Sequence, residues 1–264
     1  IGTNEDATNE QIEIFGKTVF NYTKPNSLIE FFIKSISYDD SNFIVMDFFA
    51  GSSTTANSVM NLNSIYSYSH NFIMVQLPEI LDLNSETSSD KKRIIQNAID
   101  FCLENNLPTN IVEISKERIR RAGAKIKAEN PDKALDIGFK VFKLSDSNFK
   151  AWQIDDDDIA KQLEMYIDPL KDNANEMDIV YELLLKMGLK LTADIHFENG
   201  IYWLTCDNKS YAIVLNQITQ DDFNVIITKK PAKTVVLDKA FLNDSQRTNV
   251  LLQFKDAGLA IESV

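Results

Sequence analysis

The stretch that most limits how this chain can fold runs from residue 42 to 77. It holds an apolar run, "NFIVMDFF", a hydroxyl-rich turn, a helix-like segment and a second apolar run, "NFIMVQL", closed by Pro78. Both apolar runs are rich in Phe, Ile and Val and read as buried strands. Between them "STTANSVMNLN" reads as a helix, with Ser53 or Thr54 as its N-cap and Ala56, Val59 and Met60 on one side. Strand, helix, strand over about 35 residues is a βαβ unit, which implies a parallel sheet.

In such a sheet ligands bind where strands end and helices begin, because free backbone N–H groups and the positive helix terminus point there. Asp47 ends the first strand, and Gly51 allows the backbone to approach a ligand closely. An acid at that position suits a cationic ammonium or sulfonium group better than a phosphate. "GSSTT" lacks the lysine of a phosphate loop, the turn lacks the three glycines of a dinucleotide fingerprint, and Thr55 stands where a nucleophile elbow needs glycine. On these residues alone, an ordinary βα turn and an aminoacyl-nucleoside site both stand.

The flanking segments set the rest of the organisation. "IGTNEDATNEQIEIFG" is polar and begins without methionine, as the start of a piece cut from a longer chain would. In "TKPNSLIEFFIKSIS", Pro25 suits a first helical turn and Leu28, Ile29, Phe32, Ile33 and Ile36 give an apolar face. "SSDKKRIIQNAIDFCLENN" and the basic "SKERIRRAGAKIKAEN" are two further helices, and "DIGFKVFKL" at 136–144 alternates like a strand. The basic helix reads first as a solvated helix face, the alternatives being a DNA-facing or domain-interface surface and a partner for acidic neighbours such as the 155–158 aspartate run.

A change of composition around those aspartates marks a linking segment. We expect domains at 1–145 and 175–264, joined by 146–174. In the second, "NEMDIVYELLLKMG" is a helix whose Leu183 to Met187 face reads as its own core, "DSQRTNVLLQFKDAG" is a capped helix, and "KTVVLDKAF" is a strand. Asn199-Gly200 and "DNKS" are turn signals of an antiparallel meander.

The net charge of −12 argues against a surface that wraps nucleic acid throughout. Cys102, Cys206, His70 and His196 have no metal-ligand or triad spacing, so we expect no metal site. With neither a membrane-length apolar run nor a signal peptide, a cytoplasmic protein is expected.

"DFFAGSSTTANSVMNLN" resembles the D-x-F-A-G-S-G-T-T-A-x-A-V motif with which amino-methylating DNA methyltransferases bind S-adenosylmethionine. "NFIMVQLPE" is similar to the next strand of the methylation (Mod) subunits of type III restriction-modification systems. "FGKTVFNYTKPNSLIEFFI" resembles the K-P-x-x-L-I segment that precedes the cofactor motif in that adenine-N6 class. "ISKERIRRAGAKIK", "DIGFKVFKLSDSNFKAW", "EMDIVYELLLKMGLKL" and "VVLDKAFLNDSQRTNVLLQFK" extend the likeness over nearly the whole chain.

The resemblance implies an α/β fold: part of a Rossmann-like S-adenosylmethionine-dependent methyltransferase sheet, then a smaller α/β carboxy-terminal domain. It implies that Asp47, Phe49, Ala50, Gly51 and Ser52 form the cofactor loop, with Asp47 facing the methionine amino group. Thr54 and Thr55 would cap the following helix and reach the carboxylate, Lys24 and Pro25 would close the other side, and Gln76, ahead of Glu79, would meet the ribose hydroxyls. It further implies double-stranded DNA as substrate, a Mod homodimer and a Res helicase-nuclease partner.

Two departures carry expectations. Ser53 replaces the usual second glycine, adding a Cβ where the backbone is tight or at positive φ, which would weaken cofactor affinity without destroying the fold. No Asp-Pro-Pro-Tyr-like tetrapeptide occurs, and "IDPLK" at 167–171 lacks the second proline and the aromatic. In the class that the chain resembles, the catalytic motif and the target-recognition region come before the Lys-Pro segment, so the resemblance implies that they lie in sequence before Ile1. These residues alone would be inactive, and a purely non-catalytic assembly module is the alternative.

Overall fold

Thr3 opens the first helix, α1 (Asn4–Phe15), through a capping box: its side chain accepts from the Asp6 N–H while the Asp6 carboxylate accepts from the Thr3 N–H. The computed structural model describes residues 2–37, 40–150 and 169–264. The aspartates at 155–158 and most of the expected linking segment lie outside the described residues. The chain divides into two units, Ile1–Phe139 and Lys140–Val264.

In the first unit, α2 (Asn26–Ser37) is followed by β1 (Ile44–Phe48), α3 (Thr54–Tyr66) and β2 (Asn71–Val75). The two strands pair in parallel, with Asp47 opposite Met74 and Phe48 opposite Val75. α3 is their crossover and is buried on nearly every side: Ala56, Val59, Met60 and Leu62 are at most 2% exposed. α4 (Ser89–Glu104) and α5 (Ile111–Glu129) complete the unit. Phe15, Phe101, Cys102 and Ile114 join α1, α4 and α5 in one core, and Ile119, Ala122 and Ile126 of α5 pack with α3 in another.

Three local expectations need correction. β1 and β2 are covered on one face only, since helices supply a single layer among the described residues: Val45, Phe72 and Met74 pack inward, while Ile44 (62%), Met46, Phe48 (63%), Ile73 and Val75 are exposed. The predicted face of α2 is likewise only partly used. Ile29 and Ile33 pack toward α3, but Phe32 (52%) and Ile36 (79%) face solvent. Residues 136–144 form no strand. Their alternation reflects burial without pairing, since Ile137 and Phe139 pack with the α5 core while Gly138 N–H turns back to the Asp136 carboxylate.

The second unit holds α6 (Glu176–Lys186), β3 (Asp194–Glu198), β4 (Ile201–Cys206), β5 (Lys209–Val214), α7 (Gln220–Lys229), β6 (Lys233–Val236), α8 (Asp244–Asp256) and β7 (Ile261–Ser263). The sheet runs β3-β4-β5-β6-β7. β3 to β5 form the antiparallel meander that the two turn signals predict; Asn199, Gly200, Asp207 and Asn208 all take positive φ, as tight hairpins require. β5, β6 and β7 are parallel, with α7 and α8 as crossovers. Alternate side chains feed two cores: Tyr202, Leu204, Ile213 and Val235 meet α6, while Ile201, Ala212, Val214 and Val236 meet α7 and α8. Leu183 and Leu184 belong to the first of these cores. No helix among the described residues is long and apolar enough to cross a membrane.

Candidate functional site

The turn between β1 and α3 is wound through three left-handed residues, Phe49 (φ +65°), Gly51 (φ +53°) and Ser53 (φ +56°). Only the glycine adopts that region without steric cost. The turn is held shut by backbone bonds: Ala50 N–H donates to Val75 O at 3.0 Å and Ser53 N–H to Ala50 O at 2.7 Å. Ser53 stands at the N-cap of α3, but its side chain caps nothing, because a left-handed N-cap does not present its hydroxyl to the first-turn amides. The expected serine cap is thus replaced by a backbone constraint. Replacing Ser53 by glycine removes the strained Cβ and no hydrogen bond, so thermal unfolding should show a gain of about 1 kcal/mol.

Side chains then lock the turn from three directions. Thr55 Oγ1 donates to Asp47 Oδ2 at 2.6 Å, fixing the carboxylate at the strand end. Gly51 N–H donates to Gln76 Oε1 at 2.8 Å, and Gln76 Nε2 donates to Leu77 O at 3.2 Å. Ser115 of α5 donates to Gly51 O. Phe49 projects outward at 74% exposure. The segment expected to close the other side reaches the start of α2: Lys24 is exposed and unpaired among the described residues, and Pro25 lies immediately before the helix, where its carbonyl accepts from Leu28 N–H.

Beneath the turn lies a residue that sequence reasoning assigned to a surface. Arg118 is fully buried, and its Nη1 donates to Ser52 Oγ (3.0 Å) and Thr54 Oγ1 (2.9 Å). Its Nη2 is 3.6 Å from Glu10 Oε2, and the Glu10 carboxylate accepts the Asn26 N–H at 3.0 and 3.1 Å. Burial pulls the Arg118 guanidinium down to about 10 despite Glu10, and burial raises Glu10 despite the Asn26 bond and Arg118. Most other cations of the basic helix are paired: Lys116 with Glu113, Arg120 and Arg121 with Glu117, and Lys125 with Glu129 and with Glu13 of α1. Those pairs consume most of the charge that a DNA-facing stripe would need.

α1, which the sequence reading passed over as a polar opening, organises the approach to Lys24. The buried Gln11 amide accepts from Val19 N–H (3.2 Å) and Phe20 N–H (2.8 Å) and donates to Phe20 O (3.2 Å). The signal was present, since T-N-E-D at 3–6 is a capping-box sequence.

Residues 2–76, which contain the turn and the strand on either side of it, match the family model described as DNA methylase. More particularly, the chain is similar to Mod subunits of type III restriction-modification enzymes. It is 35% identical to the StyLTI Mod subunit of Salmonella typhimurium over 145 residues, 55% of this chain and 20% of that protein. It is 35% identical to the EcoP15I Mod subunit of Escherichia coli over 140 residues, 52% and 18% of the two chains. It is 34% identical to the EcoPI Mod subunit of Escherichia phage P1 over 145 residues, 55% and 19% of the two chains. The chain thus spans about a fifth of the length of the curated relatives it matches.

Proposed function

We propose that the β1-α3 turn is the S-adenosylmethionine-binding half of a DNA adenine-N6 methyltransferase site. The single observation that carries this reading is the Asp47 carboxylate, fixed by Thr55 at the end of a parallel strand, beside a turn whose Gly51 lies at positive φ with no side chain to fill the space next to it. Asp47 suits the ammonium end of the methionyl group, while the backbone amides at the start of α3 suit its carboxylate; the Thr55 hydroxyl is committed to Asp47, and the Ser52 and Thr54 hydroxyls bond to each other over Arg118. Bound there, S-adenosylmethionine supplies a methyl group on a sulfonium centre. This chain's residues bind and orient it, and the group that holds the adenine comes from elsewhere.

The second strand is read differently from the sequence alone. Gln76 Oε1 is engaged by Gly51 N–H, so we assign Gln76 to bracing the loop and the exposed Glu79 carboxylate to the ribose hydroxyls. Lys24 and Pro25 form the facing wall. The exposed face of β1 and β2 is where the remainder of a methyltransferase domain, carrying an Asp-Pro-Pro-Tyr-like motif and a target-recognition region, would pack. Through that remainder the protein would act on double-stranded DNA, with a second Mod subunit and a Res subunit as its assembly partners. The carboxy-terminal unit would serve those contacts.

The test is methyl transfer to DNA that carries adenine sites. These 264 residues alone should give no turnover, and turnover should appear once the complementary part of the domain is supplied. Turnover by the 264 residues alone would refute the half-site reading.

A further inference from the structure

The Glu10–Arg118 pair is costly to bury, and its bonds do not spread through the core. Arg118 is fully buried, yet Nε and Nη2 have no hydrogen-bond partner among the described residues; the two bonds it makes both come from Nη1 and both end on the loop, at Ser52 and Thr54. Glu10 sends both oxygens to one amide, that of Asn26, directly after Lys24 and Pro25. The pair therefore links the start of α2 to the start of α3 through α1 and α5. Ser58 adds a second tie between the same segments, donating to Asn26 O at 3.3 Å.

Burial depresses Arg118 and raises Glu10, so each partner's charged form is held at a net cost. An apolar pair of the same volume would avoid that cost. What an apolar pair could not do is hold two hydroxyls of the loop and an amide of the opposite wall at fixed separation.

We propose that Glu10 and Arg118 are positioning residues that set the spacing between the Lys24–Pro25 wall and the 51–55 loop, and thereby tune affinity for the methyl donor without touching it. This rests on the reading of the turn as an S-adenosylmethionine site. The pair works through geometry: arginine holds Ser52 and Thr54 with one terminal nitrogen and faces Glu10 with the other, whereas lysine at 118 keeps the charge but has one nitrogen, set one bond nearer the backbone, for both tasks. Glutamine at 10 keeps an acceptor for Asn26 but gives Arg118 no counter-charge.

Calorimetric titration of the whole protein with S-adenosylmethionine decides the matter, using wild type, Glu10→Gln, Arg118→Lys, their double variant, and Ile126→Ala as a control that loosens the same unit two turns further along α5. Melting temperatures are recorded alongside. We expect each single variant to weaken binding about tenfold and the double variant to be no weaker than the worse single one, because both break one connection. The control should melt lower and bind within about twofold of wild type. Wild-type affinity in both single variants overturns the inference, as does a control whose affinity falls as far as theirs. If Arg118→Lys does not fold, Glu10→Gln alone decides by the same criterion. A wild type that binds no S-adenosylmethionine overturns the cofactor reading and this inference with it, whereas binding that ignores both substitutions overturns the inference alone.

Discussion

Gln11→Ala should unfold the first unit at markedly lower denaturant or temperature, with a loss of about 3–5 kcal/mol. The Gln11 side chain is 2% exposed and makes three bonds to backbone groups of Val19 and Phe20. Its removal leaves two N–H donors and one carbonyl buried without partners, and each such group costs about 1–3 kcal/mol. The change also loosens the chain between Gly16 and Pro25, the segment that leads from α1 to the wall beside the loop. Thermal unfolding followed by circular dichroism reads the first effect, and faster proteolysis within 16–25 reads the second. An unchanged melting temperature would mean that α1 does not anchor that segment.

Asp47→Asn should act on binding and leave the fold alone. Asparagine keeps an oxygen that accepts the Thr55 hydroxyl bond, now 2.6 Å long, so the strand end and the helix start stay joined. What disappears is the negative charge. A charge-assisted hydrogen bond to an ammonium contributes about 2–3 kcal/mol, which corresponds to a loss of roughly 30- to 150-fold in affinity. Melting temperature should move little, since Asp47 has no cationic partner among the described residues.

What could be read ahead of the structure followed from local rules. The βαβ unit was legible because apolar runs, a helix pattern and a Pro78 stop occupy the right lengths, and the meander because Asn199-Gly200 and Asp207-Asn208 demand positive φ. Two helices escaped notice although each carries the same signature: Thr3 with Asp6 opens α1, and Thr219 with Asp222 opens α7. In α7 the β-branched run "VIIT" masks the helix, since such residues favour strands when taken by themselves. The strands were read as buried on both faces because an apolar run reports what the side chains are, not what covers them. Arg118 was illegible for a different reason. Its partners Ser52 and Thr54 lie 66 and 64 positions away, and an arginine in a basic helix carries no local mark of burial. The strain at Ser53, by contrast, was foreseeable from the glycine it replaces, and its φ of +56° is the physical form of that expectation.

The central claim is that the turn from Asp47 to Thr55 holds the methionyl end of S-adenosylmethionine. Titration of the whole protein with S-adenosylmethionine, wild type against Asp47→Asn at matched melting temperature, tests it most directly. The account predicts saturable binding by wild type and a loss of roughly 30- to 150-fold in the variant. Equal affinity in the two proteins would contradict it.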